Sequence, residues 1–470
     1  MLLSMLSVAM MLPALVDAAV YDADWEVFTM SAGFTLFVGI TLILTTRTNA
    51  NLLNVRQAFI LTALSWVVLS GFGALPLMFS DLQLSYTDAY FEAMSALSTT
   101  GSTVIVGLDN APPGILLWRS ILQWLGGIGV VVMAVSVLPI LQVGGMQIFR
   151  MEFAERIEKA LPRAAQIGAW ISIIYVTLTA ACALLYVWAG MSGFDAVNHA
   201  MTTVATGGHS THDASLGVFD DPWIEIIATA FMILGSLPFL LYFQAVRGDW
   251  RPLVSDNQVR GFFVILGAAT LLVMINVMQQ HDLSMWLALR HAVFNVTSIM
   301  TGTGYATTDY SAWGTFANPL FFVVMFIGGC AGSTTCGIKI FRVQVLFETT
   351  LVQLKRLLRP HGVFIAYYNR KPIPESVSES VMAFFFLFGV IFAILATVLG
   401  VLGLDFITAT SSAATALANV GPGLGPIVGP SGNFASLPDA AKWVMAVGML
   451  LGRLEIFTVL VLLTPTFWKN

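Results

Sequence analysis

Four times along this chain, a Gly/Thr-rich loop follows an apolar stretch too short to cross a bilayer and precedes one long enough to do so. The loops read Ser98-Thr-Thr-Gly-Ser-Thr-Val104, Thr203-Val-Ala-Thr-Gly-Gly-His-Ser-Thr211, Met300-Thr-Gly-Thr-Gly-Tyr-Ala-Thr307 and Ala418-Asn-Val-Gly-Pro-Gly-Leu-Gly425. Aligned on Gly101, Gly208, Gly304 and Gly421, they recur after 107, 96 and 117 residues. Non-helical backbone is tolerated at membrane depth only where it is buried in protein or lines an aqueous cavity. Four such loops in one chain therefore predict a pore with pseudo-fourfold symmetry. Rings of loop carbonyls are a standard means of stripping a cation of its water and selecting it.

The 470 residues are 57% hydrophobic and 10% charged, against about 25% charged in an ordinary soluble domain. The class is an all-α polytopic membrane protein. Spans near the roughly 20 apolar residues that a bilayer requires fall at about 2–18, 26–45, 57–79, 115–141, 166–190, 223–246, 260–279, 319–348, 378–402 and 440–467. Shorter apolar segments lie between them at about 86–98, 195–205, 287–300 and 406–418. A 13-residue helix is only about 20 Å long, so these segments enter the membrane and turn back. Residues 2–16 are apolar but no Lys or Arg precedes them. A secretory signal normally has a positive start, so the segment reads as a short first transmembrane helix, with a retained signal-like segment as the alternative. Cys182, Cys330 and Cys336 all sit in apolar segments, which suits packing rather than a disulfide framework or metal site.

Charge distribution orients the molecule. An even number of spans puts both termini on one face, and 17 of the 21 basic residues fall there, from Arg47 and Arg56 to Lys371 and Lys469. The opposite face keeps Arg119, Arg290 and Lys442, and Arg453 lies inside the last span. Basic residues concentrate in cytoplasmic loops, so both termini are expected in the cytoplasm. The outer face is acidic, with Asp88, Glu92, Asp109, Asp213 and Asp309 among its residues, and such a surface concentrates cations. Each short helix runs inward and ends at its loop. The partial negative charge of a helix C-terminus then favours a cation at the centre. The loops themselves hold no carboxylate, which argues against Ca²⁺ or Mg²⁺. Glycines of the Gly126-Gly-Ile-Gly129 type serve close helix packing; four loop glycines at near-constant spacing call for another reason, a backbone that resists a Cβ.

The loops, the segment Gly328-Gly-Cys-Ala-Gly-Ser-Thr-Thr-Cys-Gly-Ile-Lys339 and the closing Leu451-Gly-Arg-Leu-Glu-Ile-Phe457 resemble the Trk/Ktr/HKT superfamily of potassium transporters, above all its bacterial Trk-type membrane subunits, the TrkH branch. The likeness spans essentially the whole chain. It implies four units of helix, re-entrant pore helix and helix around one pore, after two extra N-terminal helices. The corresponding boundaries are 1–50 for the N-terminal pair and 51–145, 146–250, 251–360 and 361–470 for the four units. It implies a selectivity filter for K⁺ formed by Thr99, Thr100, Gly101, Thr206, Gly207, Gly208, Gly302, Thr303, Gly304, Asn419, Val420 and Gly421. Within the superfamily a serine at the first filter glycine goes with sodium transport, so Gly101 points to K⁺. His209 departs from the Phe that many relatives carry, and is expected as a wall residue rather than an ion ligand, because a protonated imidazole would repel the ion.

The span at 319–348 is interrupted by glycines and hydroxyls, and a break of this kind frees backbone carbonyls that need new partners. The resemblance makes it an intramembrane gate of Gly329, Gly332, Ser333, Thr334, Thr335, Gly337 and Lys339, with Arg453 beside it. The alternative is a kinked helix whose Lys339 snorkels to the cytoplasmic end. Arg453, costly at mid-span, needs a buried partner. Glu455 lies two residues away, and residues so spaced on a helix do not face each other, so Arg453 is expected to reach gate-loop carbonyls or an acid on another helix. The resemblance also implies a homodimer in a bacterial inner membrane and a cytoplasmic nucleotide-binding gating ring of the TrkA type, docked on segments 142–165 and 349–377. The chain itself has no phosphate-binding motif of its own, so K⁺ as the transported ion is the one small ligand expected, with no organic cofactor and no nucleic acid. Two rival readings are a membrane metalloenzyme built on His209, His212 and Asp213, and an inverted-repeat transporter. The first lacks a catalytic Glu between its histidines, and the second is at odds with four units of one orientation.

Overall fold

A computed structural model describes residues 1–46, 54–136 and 164–469. Two N-terminal helices, Leu2–Val20 and Asp24–Thr45, pack closely because Gly39 lets the backbone of Ser4 approach and Ser7 Oγ donates to Ala32 O at 2.7 Å. One order of elements then occurs four times. In the first unit Val55–Phe79 leads to the half-helix Tyr86–Leu97 and then to Pro113–Ser136. The half-helices of the other units are Gly193–Val204, Met285–Met300 and Phe406–Ala418, each after a long helix: Ala164–Trp188, Asn257–His281 and Glu375–Val401. Their buried faces, rich in Ala, Ser and Thr, meet at the centre of the molecule, where nearly every residue of the last two turns is buried.

Each half-helix begins at a side-chain cap. Ser85, Ser192 and Ser284 accept from the amide three residues on, and Asp405 accepts from Ile407 and Thr408. Such caps satisfy amides that a helix start leaves without intrahelical partners.

Seven helices among the described residues are long and apolar enough to span a membrane, or nine if each of two bent pairs is one span. The expectation of ten spans is therefore corrected at two of them, which bend sharply where a continuous helix was expected. Pro222–Ser236 turns by 93° into Phe239–Val246, and Asp439–Arg453 turns by 107° into the short helices that follow it. At the first bend Pro238 has no amide to continue the ladder. The freed carbonyls of Gly235 and Ser236 accept instead from Thr334 N (3.1 Å) and Cys330 N (3.0 Å). At the second, Glu455 and Ile456 adopt positive φ of 60° and 32°. The 319–348 span is interrupted, as its glycines predict: it is two helices, Ala317–Phe326 and Ile340–Leu358. The chain between them is a loop whose neck is closed by Gly328 N to Ile338 O and Ile338 N to Phe326 O, both 2.9 Å. The continuation of the first unit beyond Ser136, including the basic and acidic residues of 142–163, lies outside the described residues.

Candidate functional site

The four Gly/Thr loops close into one ring. A Cβ added to Gly101 would strike the carbonyl oxygen of Gly207; on Gly208, that of Thr303; on Gly304, that of Val420; and on Gly421 it would come within 2.9 Å of Thr100 O. Each carbonyl belongs to the residue just before the next loop's glycine, so the contacts run head to tail through all four loops and return to the first. The backbone has the same shape in each. Two residues before the glycine, φ is 52° at Thr99, 51° at Thr206, 71° at Gly302 and 52° at Asn419; at the glycines it is 89°, 75°, 81° and 108°. The residue between is not left-handed, so handedness alternates. Threonine in the left-handed region is uncommon, and its occurrence at two of the four positions marks a backbone set by its surroundings.

What sets it is also repeated. Six residues before each glycine stand Ser95, Thr202, Ser298 and Thr415, whose carbonyls accept from the amides of Thr100, Gly207, Thr303 and Val420 at 2.8–3.1 Å. In three loops the same side chain reaches forward as well: Ser95 Oγ donates to Ser102 O, Ser298 Oγ to Tyr305 O and Thr415 Oγ1 to Gly421 O. Thr202 Oγ1 instead meets Tyr305 OH at 2.5 Å, tying loop two to loop three. Asn419 Nδ2 donates to Thr100 Oγ1 (2.8 Å) and Met449 O (3.0 Å), tying loop four to loop one.

Three side chains behind the ring were not expected from the sequence to support it. Gln123 donates to Gly207 O at 2.7 Å and accepts from His209 N at 3.0 Å. Arg119 and Glu92 form an ion pair of 2.7 Å, both with side chains no more than 2% exposed. Glu92 also accepts from Val104 N and Thr103 Oγ1, and Arg119 Nη1 donates to Ser210 O at 3.0 Å. These two residues are thus not charges of the outer surface, as their place in the sequence suggests. They brace loop one against loop two. The available signal was polarity inside an apolar span, which marks function more often than chance.

A basin lined by Gly101, Gly208, Gly304 and Pro422, among others, opens onto the ring. Asp213, in its wall, and acids elsewhere in these segments have partners. Asp213 Oδ1 accepts from Gly107 N and Leu108 N at 3.2 and 3.1 Å, and His212 Nδ1 lies 2.5 Å from Asp109. The hydrogen bond from His212 holds Asp109 below the usual carboxylate range. Lys442 pairs with Asp88 at 2.5 Å, and Arg290 with Glu225 at 2.8 Å. The side chains of His209, His212 and Asp213 go to different surroundings. His209 is a buried wall residue whose Nε2 stands 3.7 Å from Glu92, and among the described residues no trio of His, Cys, Asp or Glu is arranged to hold a metal ion.

Against the other side of the ring lies the loop between Phe326 and Ile340. Thr206 Oγ1 donates to Thr334 Oγ1 at 3.1 Å, and Thr99 Oγ1 stands 3.9 Å from Cys336 Sγ. Gly332 and Gly337 take positive φ of 73° and 68°, and Gly329 lies so close to Ser236 O that a Cβ would come within 3.0 Å. Ser333 Oγ bonds Cys330 O and Thr335 Oγ1. Lys339 Nζ turns back to the Thr335 carbonyl and is buried, so it does not snorkel. Arg453 supplies the outside anchors: Nη1 donates to Thr334 O at 3.1 Å and to Cys336 Sγ, and Nη2 to Gly126 O at 3.0 Å. Glu455 turns away to Arg342, which also stacks 3.9 Å over Phe384. A further anchor is Gln258 Oε1, which accepts from Ala331 N at 2.9 Å. Beyond the loop is a void lined by Gly332, Ser333, Lys339, Arg453 and Glu455.

Known proteins resemble this chain along nearly its whole length. Residues 26–469 match the family described as TrkH, cation transport protein. The Trk system potassium uptake protein TrkI of Halomonas elongata is 46% identical over 467 residues, covering 99% of this chain and 94% of its own. The TrkH protein of Escherichia coli K12, named in the same way, is 39% identical over 482 residues, with 100% and 98% covered. The crystal structure of the potassium transporter TrkH from Vibrio parahaemolyticus superposes with a TM-score of 0.92 at 38% identity, covering 100% of this chain and 97% of that one.

Proposed function

The chain belongs to the TrkH family of cation transport proteins, and on that premise we propose that it takes up potassium across a bacterial inner membrane along the axis of its four-loop ring. It is a transporter and not an enzyme. The observation that carries this reading is the closed head-to-tail contact of Gly101, Gly208, Gly304 and Gly421 with the carbonyls of Gly207, Thr303, Val420 and Thr100. Alternating handedness lets successive carbonyls face one side, so Thr99, Thr100, Thr206, Gly207, Gly302, Thr303, Asn419 and Val420 offer stacked rings of oxygen. A dehydrated monovalent cation fits oxygen dipoles without full charges, and four half-helix C-termini add negative potential. With both termini cytoplasmic, K⁺ enters from the outer basin.

In this reading Gly329–Lys339 is the gate. It abuts the ring at Thr206 and Thr99, and Arg453 both anchors it and places a cationic barrier on the exit path. The resemblance to Trk-type subunits supports a homodimer with a pore in each protomer, and a TrkA-type nucleotide-binding ring acting on the gate from the cytoplasm. The test is K⁺ and Na⁺ flux into liposomes carrying the purified chain alone. Saturable K⁺ entry that exceeds Na⁺ entry is expected; equal permeation of both ions, or flux that requires a bound metal, overturns the reading.

A further inference from the structure

On the basic face, at the start of the third unit, two structural elements meet around a polar pocket that the transport path does not use. One is the turn before the long helix Asn257–His281; the other is the tip of a small hairpin, Tyr367–Tyr368 and Lys371–Pro372. The pocket is lined by Ser255, Asp256, Arg260, Asn369 and Arg370, among others. Asn369 and Arg370 form the tight turn with positive φ of 46° and 63°, which fixes the arginine at the hairpin's tip. The turn is locked to the helix: Asn257 N donates to Asn369 Oδ1 and Asn369 Nδ2 to Asp256 Oδ2, both 3.1 Å.

The charges in the pocket are unequal. Asp256 is committed to capping Gln258 N at 2.8 Å and to Asn369. Arg260 spends its Nε on Val254 O at 3.0 Å. Among the described residues, its two Nη groups and the whole guanidinium of Arg370 have no protein acceptor. Two planar guanidinium groups from separate elements line this one pocket, and arginine binds phosphate through paired donors. Beside the pocket, Val246, Trp250 and Val254 are 69%, 64% and 58% exposed. Exposed Trp at the end of spanning segments marks the headgroup level of a bilayer, and basic pockets at that level on the cytoplasmic side take lipid headgroups.

The next residue along the helix, Gln258, is the one that holds the loop beneath the ring through Ala331 N, and Gln344 Nε2 ties the second half of that broken span to Asn257 O at 2.6 Å. We propose that this pocket binds the phosphate of an anionic phospholipid of the cytoplasmic leaflet, and that its occupancy steadies Gln258 and through it the loop at 327–339. The second clause rests on the reading of that loop as a gate; the first does not. The phosphate bridges Arg260 and Arg370, fixes the hairpin against the helix, and so sets the geometry of the turn from which Gln258 projects.

Two measurements on the full chain test it. The first is retention of phosphatidylglycerol against phosphatidylcholine by the detergent-solubilised protein, read by native mass spectrometry. Wild type is expected to retain phosphatidylglycerol, and Arg260→Gln with Arg370→Gln to weaken retention about tenfold or more, as loss of charge-assisted contacts implies. Arg359→Gln, an exposed basic residue outside the pocket, should leave retention unchanged. Equal retention by all three proteins overturns the site. Full competition by inorganic phosphate or adenosine triphosphate at millimolar concentration overturns the lipid assignment in favour of a free phosphate compound. The second measurement is K⁺ flux in vesicles with and without phosphatidylglycerol. About a fivefold response, the low end of coupling between sites, is expected from wild type and should vanish in the double variant. Intact retention with no flux response overturns the link to the loop. Retention decides the site even where no vesicle takes up K⁺, so failure of the pocket and failure of the transport reading are told apart.

Discussion

The ring and the loop beneath it are both irregular backbone at membrane depth, yet they are held in opposite ways. The ring is built four times over. The same hydroxyl residue six places before each glycine and the same left-handed pair recur in every unit, and each loop is wedged by the next. The loop at 327–339 occurs once. Its own bonds close its neck, but its position depends on groups sent from elsewhere: the side chains of Arg453 and Gln258 and the freed backbone carbonyls of Gly235 and Ser236 at a broken helix. Fourfold mutual contact makes a rigid constriction, whereas a few separable anchors make an element that can be released. On the proposed function, these are the different needs of an element that selects and an element that gates.

The comparison can be broken most severely where the ring relies on a single support. Removing either member of the buried pair Glu92 and Arg119 leaves an uncompensated charge, at a cost of about 3–5 kcal/mol. Glu92→Ala or Arg119→Ala should lower the melting temperature in detergent strongly and abolish selective flux; replacing both by apolar residues should restore much of the stability. Next in size is Gly208→Ala, whose Cβ would occupy the place of Thr303 O. K⁺ flux should be lost while the protein remains folded, since the collision lies within the ring. A folded variant with normal flux would remove this loop from the path.

Arg453→Ala sharpens the contrast from the other side. It removes the donors to Thr334 O and Gly126 O, so basal K⁺ flux in liposomes without any partner should rise several-fold. Combining it with deletion of Gly332–Thr335 should give less than the sum, because both act on one element. Lower flux in the well-folded single variant would contradict the gate. The smallest effect is expected at Asp213→Asn. Asn can still accept from Gly107 and Leu108, so only charge changes. K⁺ uptake should fall slightly at low ionic strength and not at all near physiological salt, where the Debye length is about 8 Å.

The ring was legible because repetition amplifies a weak signal. A single Thr-Gly pair carries no meaning, but four at similar spacing after short apolar helices located every loop. The half-helices were legible for the same reason, and the break at 319–348 announced itself through its glycines. The other two breaks did not. Pro238 sits in an otherwise continuous apolar run, and proline is tolerated in membrane helices. Leu454-Glu455-Ile456 contains neither Gly nor Pro, so the positive φ there comes from tertiary packing alone. Charge counting also misplaced Arg119 and Glu92. A residue's position between apolar segments says which face it is near, and not whether it turns inward to a partner 27 residues away. Gln123 and Gln258 were equally silent, since one amide in a span does not reveal which backbone group it holds.

The central claim is that the carbonyl ring chooses the ion, and Gly101→Ser tests it most directly. The added Cβ and hydroxyl meet Gly207 O at the point where loops one and two touch, and so must reshape one side of the constriction without touching the loop below it. The measurement is the ratio of K⁺ to Na⁺ flux into liposomes for wild type and variant at matched protein density. The ratio should fall clearly, with Na⁺ admitted and total transport retained; an unchanged ratio in a folded, active variant would contradict the assignment of this ring as the selecting element.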